Sequence, residues 1–320
     1  MHDGNARSPL APVFLAGPTA VGKSAVALAL AERLGGEIIS VDSMQVYCGL
    51  DLGTAKPTPA ERARVPHHLI DVVELSESFD AAKFLRLAEA AVKDIQSRGR
   101  VPIFCGGTGL YFKAWFDGLG AAPPADPRVR AELEATPLAD LLAELERRDP
   151  ATFARIDRQN PRRVIRALEV IRLTGQPFSA QRAAWPSTLD ARPSNCLIAF
   201  TREPADLRAR IEARVDAMFA AGLVEETRAL LPRGLADNPA ALQALGYRQV
   251  VEHLRGARGL GDTIALVKTK TWQFARRQRT WFRRQLAVEW VPLIPQSEPA
   301  AVARELADRI AARSPVAPLD

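Results

Sequence analysis

The residues Gly17-Pro18-Thr19-Ala20-Val21-Gly22-Lys23-Ser24 satisfy the pattern G-x4-G-K-[ST] without a mismatch. Glycines at those two positions let the backbone fold so that successive N–H groups point inward, and the helix that follows adds the positive end of its dipole. Lys23 supplies a full charge, and the Ser24 hydroxyl suits Mg²⁺. Such a loop holds a diphosphate or triphosphate, ATP among them, but it does not by itself name a reaction. Nineteen residues beyond Lys23, Asp42 closes a second apolar run, "EIISVD". It is the one well-placed carboxylate near the loop, and it has two readings: a proton acceptor, or a cap for the segment after it. A P-loop kinase needs a Mg²⁺-associated acid at the end of a further apolar strand. Here that strand, "VPIFC", runs instead into "GGTG".

The elements that must position these groups follow from the pattern around them. Val13–Gly17, Glu37–Asp42 and Val101–Cys105 read as buried strands. Ser24–Leu34, stopped by Gly35-Gly36, and Phe79–Arg98, with Asp80 near its start, read as helices between them. Strand–helix–strand alternation predicts a P-loop NTPase-like α/β core with a parallel sheet and flanking helices. Ligands of such sheets bind beyond the carboxyl ends of the strands, so Gly17, Asp42 and Thr108 are expected around one cleft. "GLGAAPPADP" (118–127) reads as a hinge, and helical patterns without a strand continue to about Arg192. The expected organisation is a catalytic core of residues 1–122 and 192–320 with an all-helical insertion domain at 123–191. "CLIAFTRE" (196–203) and "VEWVPL" (288–293) are two further strand candidates.

The chain has 320 residues, 47% of them hydrophobic, which is ordinary for a globular protein. No apolar run approaches the roughly 20 residues of a membrane span, and the N-terminus has no apolar signal core. Cys48, Cys105 and Cys196 are far apart and fit no metal spacing, which points to a reducing cytoplasm and to structural roles. The net charge of +6 is modest, but its distribution is not even. Between Asp262 and Glu289 there is no acid, while Lys268, Lys270, Arg276, Arg277, Arg279, Arg283 and Arg284 all fall there, interleaved with Trp272, Phe274, Trp281 and Phe282. Arginines beside aromatic rings suit single-stranded RNA. Phe274, Gln278 and Trp281 also share one helix face and are equally readable as core.

Eight stretches, in order along residues 13–290, resemble the tRNA dimethylallyltransferases, the bacterial tRNA isopentenyltransferase family. They are "GPTAVGKS" (17–24), "ISVDSMQVY" (39–47), "DLGTAKP" (51–57), "VPHHLIDV" (65–72), "GGTGLYFKA" (106–114), "RRVIRALEV" (162–170), "ALGYRQ" (244–249) and "FARRQRTWFR" (274–283). The resemblance implies that the loop holds the diphosphate of dimethylallyl diphosphate with Mg²⁺. The prenyl group then moves to N6 of the adenosine 3′ of a tRNA anticodon. It gives Asp42 the role of base, and Thr19, Lys23 and Arg214 (of "EARVDAM") roles at the diphosphate. It places Ser43, Met44 and Gln45 next to the target adenosine and makes Thr108 a tRNA-contacting hydroxyl. It assigns tRNA contact to Arg130, Arg162, Arg163, Val164, Ile165 and Arg166, to Gln243, Gly246, Tyr247 and Arg248, and to Arg276, Arg277, Gln278, Arg279, Thr280, Trp281 and Arg283. One departure stands out: Asp157-Arg158-Gln159-Asn160 occupies the place where many members carry His-Pro-Asn-Asp. Prenyl transfer to free AMP or ADP and a small-molecule kinase are the competing readings; a nucleotide-sized acceptor needs neither the helical insertion nor the basic segment. A monomer is expected.

Overall fold

A computed structural model describes residues 11–120, 122–181 and 197–313. Cys196 and the end of the expected insertion lie outside them. The chain divides into two units, Met1–Phe116 with Thr188–Asp320, and Asp117–Ser187.

The first unit begins with β1 (Val13–Ala16), α1 (Lys23–Leu34), β2 (Gly36–Val41), α2 (Pro59–Arg64), β3 (His67–His68), α3 (Ala81–Ser97), β4 (Val101–Gly106) and α4 (Gly109–Asp117). In the second unit lie α5 (Pro127–Glu134), α6 (Leu138–Arg148), α7 (Pro150–Phe153), α8 (Pro161–Thr174) and α9 (Phe178–Gln181). The first unit resumes with β5 (Leu197–Thr201), α10 (Pro204–Ala220), α11 (Leu223–Leu230), α12 (Tyr247–Leu254), α13 (Leu260–Gln285), β6 (Val288–Pro292) and α14 (Pro299–Arg313).

Six strands form one sheet in the order β3-β2-β4-β1-β5-β6, with every pairing parallel. All five strands expected from the sequence are in it; the short β3, from "VPHH", was not expected. β1, β2 and β4 are buried along their whole length, because helices cover both faces. Leu15, Ile38 and Ile103 point to a core shared with α1, while Phe14, Ile39 and Phe104 point to one shared with α3 and α4. That alternation is the period-2 geometry of a strand. α3 buries Phe84, Ala88, Ala91, Val92 and Ile95, and the Asp80 carboxylate caps it by accepting from Lys83 N at 2.8 Å, a bond worth about 1 kcal/mol. Gly36 belongs to β2 rather than to the helix stop; a Cβ there would stand 2.7 Å from the Val101 carbonyl of β4.

The second unit is helical. Leu133, Leu141, Leu145, Val164, Ala167, Leu168 and Ile171 make its core. Glu169 is fully buried beside it, held by Arg130 (2.7 Å) and Arg166 (2.6 Å) and accepting from Asp126 N at 3.2 Å. Arg166 also donates to the Pro123 carbonyl at 2.6 Å. The proline-rich stretch read as a hinge is therefore fastened to these helices through one buried carboxylate. Burial alone would raise the Glu169 pKa, but hydrogen bonds from the two guanidinium groups hold it below the usual range.

Candidate active site at the carboxyl edge of the sheet

Strand register assembles the site. Ala16 of β1 pairs with Gly106 of β4, and Gly106 pairs with Val41 of β2. The next residues out are Gly17, Gly107 and Asp42, so the phosphate loop, the glycine turn and the carboxylate leave the sheet side by side. The approach is close: a Cβ on Gly106 would fall 2.0 Å from the Val41 carbonyl. Gly107 N and Thr108 N donate to that same carbonyl at 3.2 and 3.1 Å, and Thr108 Oγ1 accepts from Ser43 N at 3.1 Å. "GGTG" is thus a packing device that knits the turn after β4 to the turn after β2.

In the phosphate loop, Gly17 has φ +150° and a Cβ there would meet the Phe200 backbone at 3.0 Å. Gly22 precedes α1 in the left-handed region, and α1 has no side-chain cap and no acid in its first turn. Its first N–H groups are therefore left for an anion. Ala20 is held at φ 62°, a strained conformation for a residue with a Cβ. Two arginines of the β5–α10 region hold the outside of the loop. Buried Arg202 donates from Nε to the Val21 carbonyl at 2.7 Å and pairs with Asp206. Arg210 donates from Nε to the Ala20 carbonyl at 3.0 Å. These bonds fix the outer carbonyls of the loop, while the Val21 N–H turns back to the Pro18 carbonyl at 3.4 Å.

A cavity of about 430 Å³ opens on the loop, lined by Ala20, Gly22, Lys23, Ser24, Ala25, Arg210, Ala213 and Arg214. Lys23 Nζ rests on the Pro18 carbonyl at 3.3 Å. Burial pulls its pKa below the ordinary lysine value and Arg214 adds to this, while Asp42 opposes it. Arg214 is likewise lowered by burial and supported by Asp42. Lys23, Arg214 and Asp42 therefore feel one another's charge in one shielded site. Arg210 and Arg202 escaped the sequence reading. The only signal for Arg210 is its spacing of one helical turn before Arg214, and Arg202 has none. Cys105 lies close to Lys23, and burial pushes its thiol up to about 11; it remains a neutral core residue. Half-buried Cys48 is also raised by burial.

Of the two readings of Asp42, the cap is visible directly. Its Oδ1 caps the following turn, accepting from Met44 N at 2.8 Å and Gln45 N at 3.3 Å. Gln45 itself is committed within the protein: its Oε1 accepts from Ser40 Oγ at 2.8 Å, and its Nε2 donates to the Thr54 and Ala55 carbonyls at 3.1 and 3.2 Å. Lys56 donates to the Tyr47 carbonyl and pairs with Asp51 and Asp71. These bonds fix "DLGTAKP" and "LID" beneath the Asp42 turn. Among the described residues, the other non-glycine residues at positive φ, Ala55, Leu69 and Asp71, all lie there.

The residues read as tRNA contacts separate by exposure. Arg162, Arg163, Gln243, Arg248, Arg276, Arg277, Thr280 and Arg283 are exposed, and Arg279 and Trp281 half-buried. Arg276, Arg277, Thr280, Trp281, Arg284, Gln273 and Gln285 line a groove of about 490 Å³ along α13. Others are buried, or are partly exposed and already paired within the protein. Val164 and Ile165 are buried in the helical core because they lie on the inner stripe of α8. Arg130 and Arg166 are taken up by Glu169. Tyr247 is fully buried; its hydroxyl accepts from Gly53 N at 3.1 Å and donates to Glu226, and a Cβ on Gly53 would strike its ring at 2.4 Å. Buried Gly246 donates to Gln249 Oε1 at 3.0 Å to start α12. Gln278 is buried between the two turns of the site. Where a residue falls on the inner stripe of its helix, packing claims it whatever its motif.

A single parallel sheet whose first strand runs through a glycine-lysine-serine loop into a helix defines a P-loop NTPase-like protein with an anion site at the sheet's carboxyl edge. The family model for IPP transferase matches residues 45–285, and the chain belongs to that family. It is similar to a tRNA dimethylallyltransferase of Anaeromyxobacter dehalogenans, with 48% identity over 301 residues, 93% of this chain and 99% of that one. One from Halorhodospira halophila is 51% identical over 282 residues, covering 86% and 91%. Among solved structures, the tRNA isopentenylpyrophosphate transferase of Bacillus halodurans superposes with a TM-score of 0.68 at 38% identity, covering 96% of this chain and 98% of that one. A eukaryotic dimethylallyltransferase acting on tRNA gives 0.77 at 25% identity, covering 97% and 81%.

Proposed function

We propose that this chain transfers the dimethylallyl group from dimethylallyl diphosphate to N6 of the adenosine 3′ of a tRNA anticodon, releasing pyrophosphate. The observation that carries the reading is the convergence of an uncapped helix N-terminus, Lys23 and Arg214 on one side and the Asp42 carboxylate on the other. Ionisation of the C–O bond puts charge on the diphosphate, where amides and cations of a shielded site stabilise it most. The adenine amine is a weak nucleophile, and a carboxylate that accepts its proton as the N–C bond forms makes the attack productive. Thr108 is assigned to contact the tRNA, a reading supported by its tie to the Asp42 turn through Ser43 N. The target base leaves its stack to reach such a site.

Mg²⁺ fits the residues present. No cluster of three or more acids, histidines or cysteines capable of holding a metal occurs among the described residues, and Mg²⁺ commonly takes few protein ligands alongside substrate phosphates. Ser24, exposed at the cavity, would hold it. Bound there, the ion would neutralise charge on the departing diphosphate. The groove of α13, with its arginines and Trp281, supports RNA as acceptor over a free nucleotide. All these groups come from one chain, which supports activity as a monomer, and no helix among the described residues is long and apolar enough to cross a membrane. The test is incubation with labelled dimethylallyl diphosphate, Mg²⁺ and unmodified tRNA, beside AMP and ATP-only reactions. Label in tRNA alone is expected; label in AMP, or ATP consumption without prenyl transfer, would overturn the reading.

A further inference from the structure

α13 buries one stripe: Thr263, Val267, Thr271, Ala275, Gln278 and Phe282, three or four residues apart. A glutamine in such a stripe must have its amide satisfied on both sides. Gln278 Oε1 accepts from the N–H of Thr19 in the phosphate loop at 2.8 Å, and Nε2 donates to the carbonyl of Gly107 at 2.9 Å. The fit leaves no slack, since a Cβ on Gly107 would fall 2.3 Å from Nε2. One turn along, Trp281 lies over Gly109, where a Cβ would stand 2.1 Å from the indole. The same helix carries Arg276, Arg277, Thr280 and Arg284 on its groove side. A single amide therefore joins the basic helix to the loop that holds the anion and to the turn that is knitted to Asp42.

We propose that Gln278 is a positioning residue that couples the RNA-facing helix α13 to the diphosphate loop, so that occupancy of one substrate site changes the affinity of the other. The inference rests on the function proposed above. Thr19 N–H is spent on Gln278 and is not a diphosphate donor; the Thr19 segment reaches the anion through the loop geometry that Gln278 fixes. A shift of α13 on binding RNA moves the amide, and with it both the loop and the Gly107 turn. Coupling of this kind is reciprocal.

The experiment titrates the full chain with inorganic pyrophosphate and Mg²⁺, with and without an unmodified anticodon stem-loop, for wild type, Gln278→Met and Gln278→Glu. In the wild type the stem-loop should change pyrophosphate affinity by about fivefold or more. Gln278→Met, similar in length but without the amide, should lose about tenfold in pyrophosphate affinity and bring the ratio with and without RNA close to one. Its stem-loop affinity without pyrophosphate should stay near wild type. Gln278→Glu keeps an acceptor for Thr19 but removes the donor to Gly107, and its ratio should also shrink; because a ratio is read, the added charge cancels. Absence of coupling in wild type, or variants that weaken both ligands together with an unchanged ratio, would overturn the inference. A wild type that binds no stem-loop would overturn the proposed function as well, whereas binding without coupling would overturn this inference alone.

Discussion

Replacing Asp42 by Asn separates the cap that this carboxylate makes from the base role proposed for it. Its Oδ1 accepts from Met44 N and Gln45 N at 2.8 and 3.3 Å, and an asparagine carbonyl accepts from the same donors with the same shape. The turn should survive, with stability reduced by less than about 1 kcal/mol, which is the scale of the whole cap. Proton acceptance should not survive, because an amide has no useful basicity. Removing a positioned general base costs on the order of 100- to 10,000-fold in turnover. Binding of the diphosphate should move the other way. Asp42 supports the charged forms of Lys23 and Arg214, but its own negative charge opposes an anion arriving between them. Loss of that charge should leave pyrophosphate affinity equal or somewhat higher. Single-turnover prenylation, pyrophosphate titration and thermal denaturation on one preparation read the three quantities. A turnover within a few-fold of wild type would refute the role of base. So would a loss of turnover matched by an equal loss of folded protein, which is what a pure cap would give. Asp42→Ala, which removes cap and base together, should add a stability loss of about 1 kcal/mol to the same catalytic defect.

Burial lowers the Lys23 pKa below its usual 10.5, and a bound diphosphate restores the charged form. Pyrophosphate binding should therefore take up a proton between the lowered value and 10.5, and weaken as pH rises through that window; calorimetry in buffers of different ionisation enthalpy detects the uptake. The folded-state value is the depressed one, so the unfolded chain binds more protons there and Lys23 itself makes stability rise with pH across the same window. Glu169→Gln should destabilise the helical unit by about 2 kcal/mol or more, since it leaves Arg130 and Arg166 facing a neutral group; thermal denaturation measures the loss. The Glu169 pKa is held down when folded, so the carboxylate's contribution is present above its unfolded value and disappears as pH falls through the folded one. Tyr247→Phe should cost about 1–2 kcal/mol through the Gly53 and Glu226 contacts, with stem-loop affinity unchanged, as a buried phenol requires.

Five of six strands were legible because a parallel strand buried on both faces reads as a short apolar run between glycines. β3 was not, because two residues, His67 and His68, carry no pattern. The Lys23 loop was legible for the opposite reason: its chemistry is local, and eight consecutive residues contain it. Asp42 could be placed near that loop because the carboxyl ends of parallel strands share an edge. Arg202 and Arg210 could not be read, since they act on the Val21 and Ala20 carbonyls from about 180 and 190 residues away. No pattern in a sequence marks such a contact.

Many of the motif residues that carry the family resemblance have visible packing or hydrogen-bonding work within the protein. Gly106 lets β2 and β4 close at their ends, Gly53 admits the Tyr247 ring, Gly109 admits Trp281, and Gln45 fastens two turns through three bonds. Each is a position where a single added atom or lost hydrogen bond would move Asp42 or the phosphate loop. In the proposed reaction the amine must lie within a hydrogen bond of the carboxylate and in line with the carbon that the diphosphate leaves, and a misplacement of 1 Å is expensive in rate. Groups proposed to touch RNA face the looser demand of charge and stacking, met by many arrangements of arginine and aromatic side chains. The exacting requirement therefore leaves a rigid signature in the sequence, even though it acts through packing. The interface requirement leaves a composition, and composition alone could not divide the exposed Arg276, Arg277 and Arg283 from the buried Gln278 beside them.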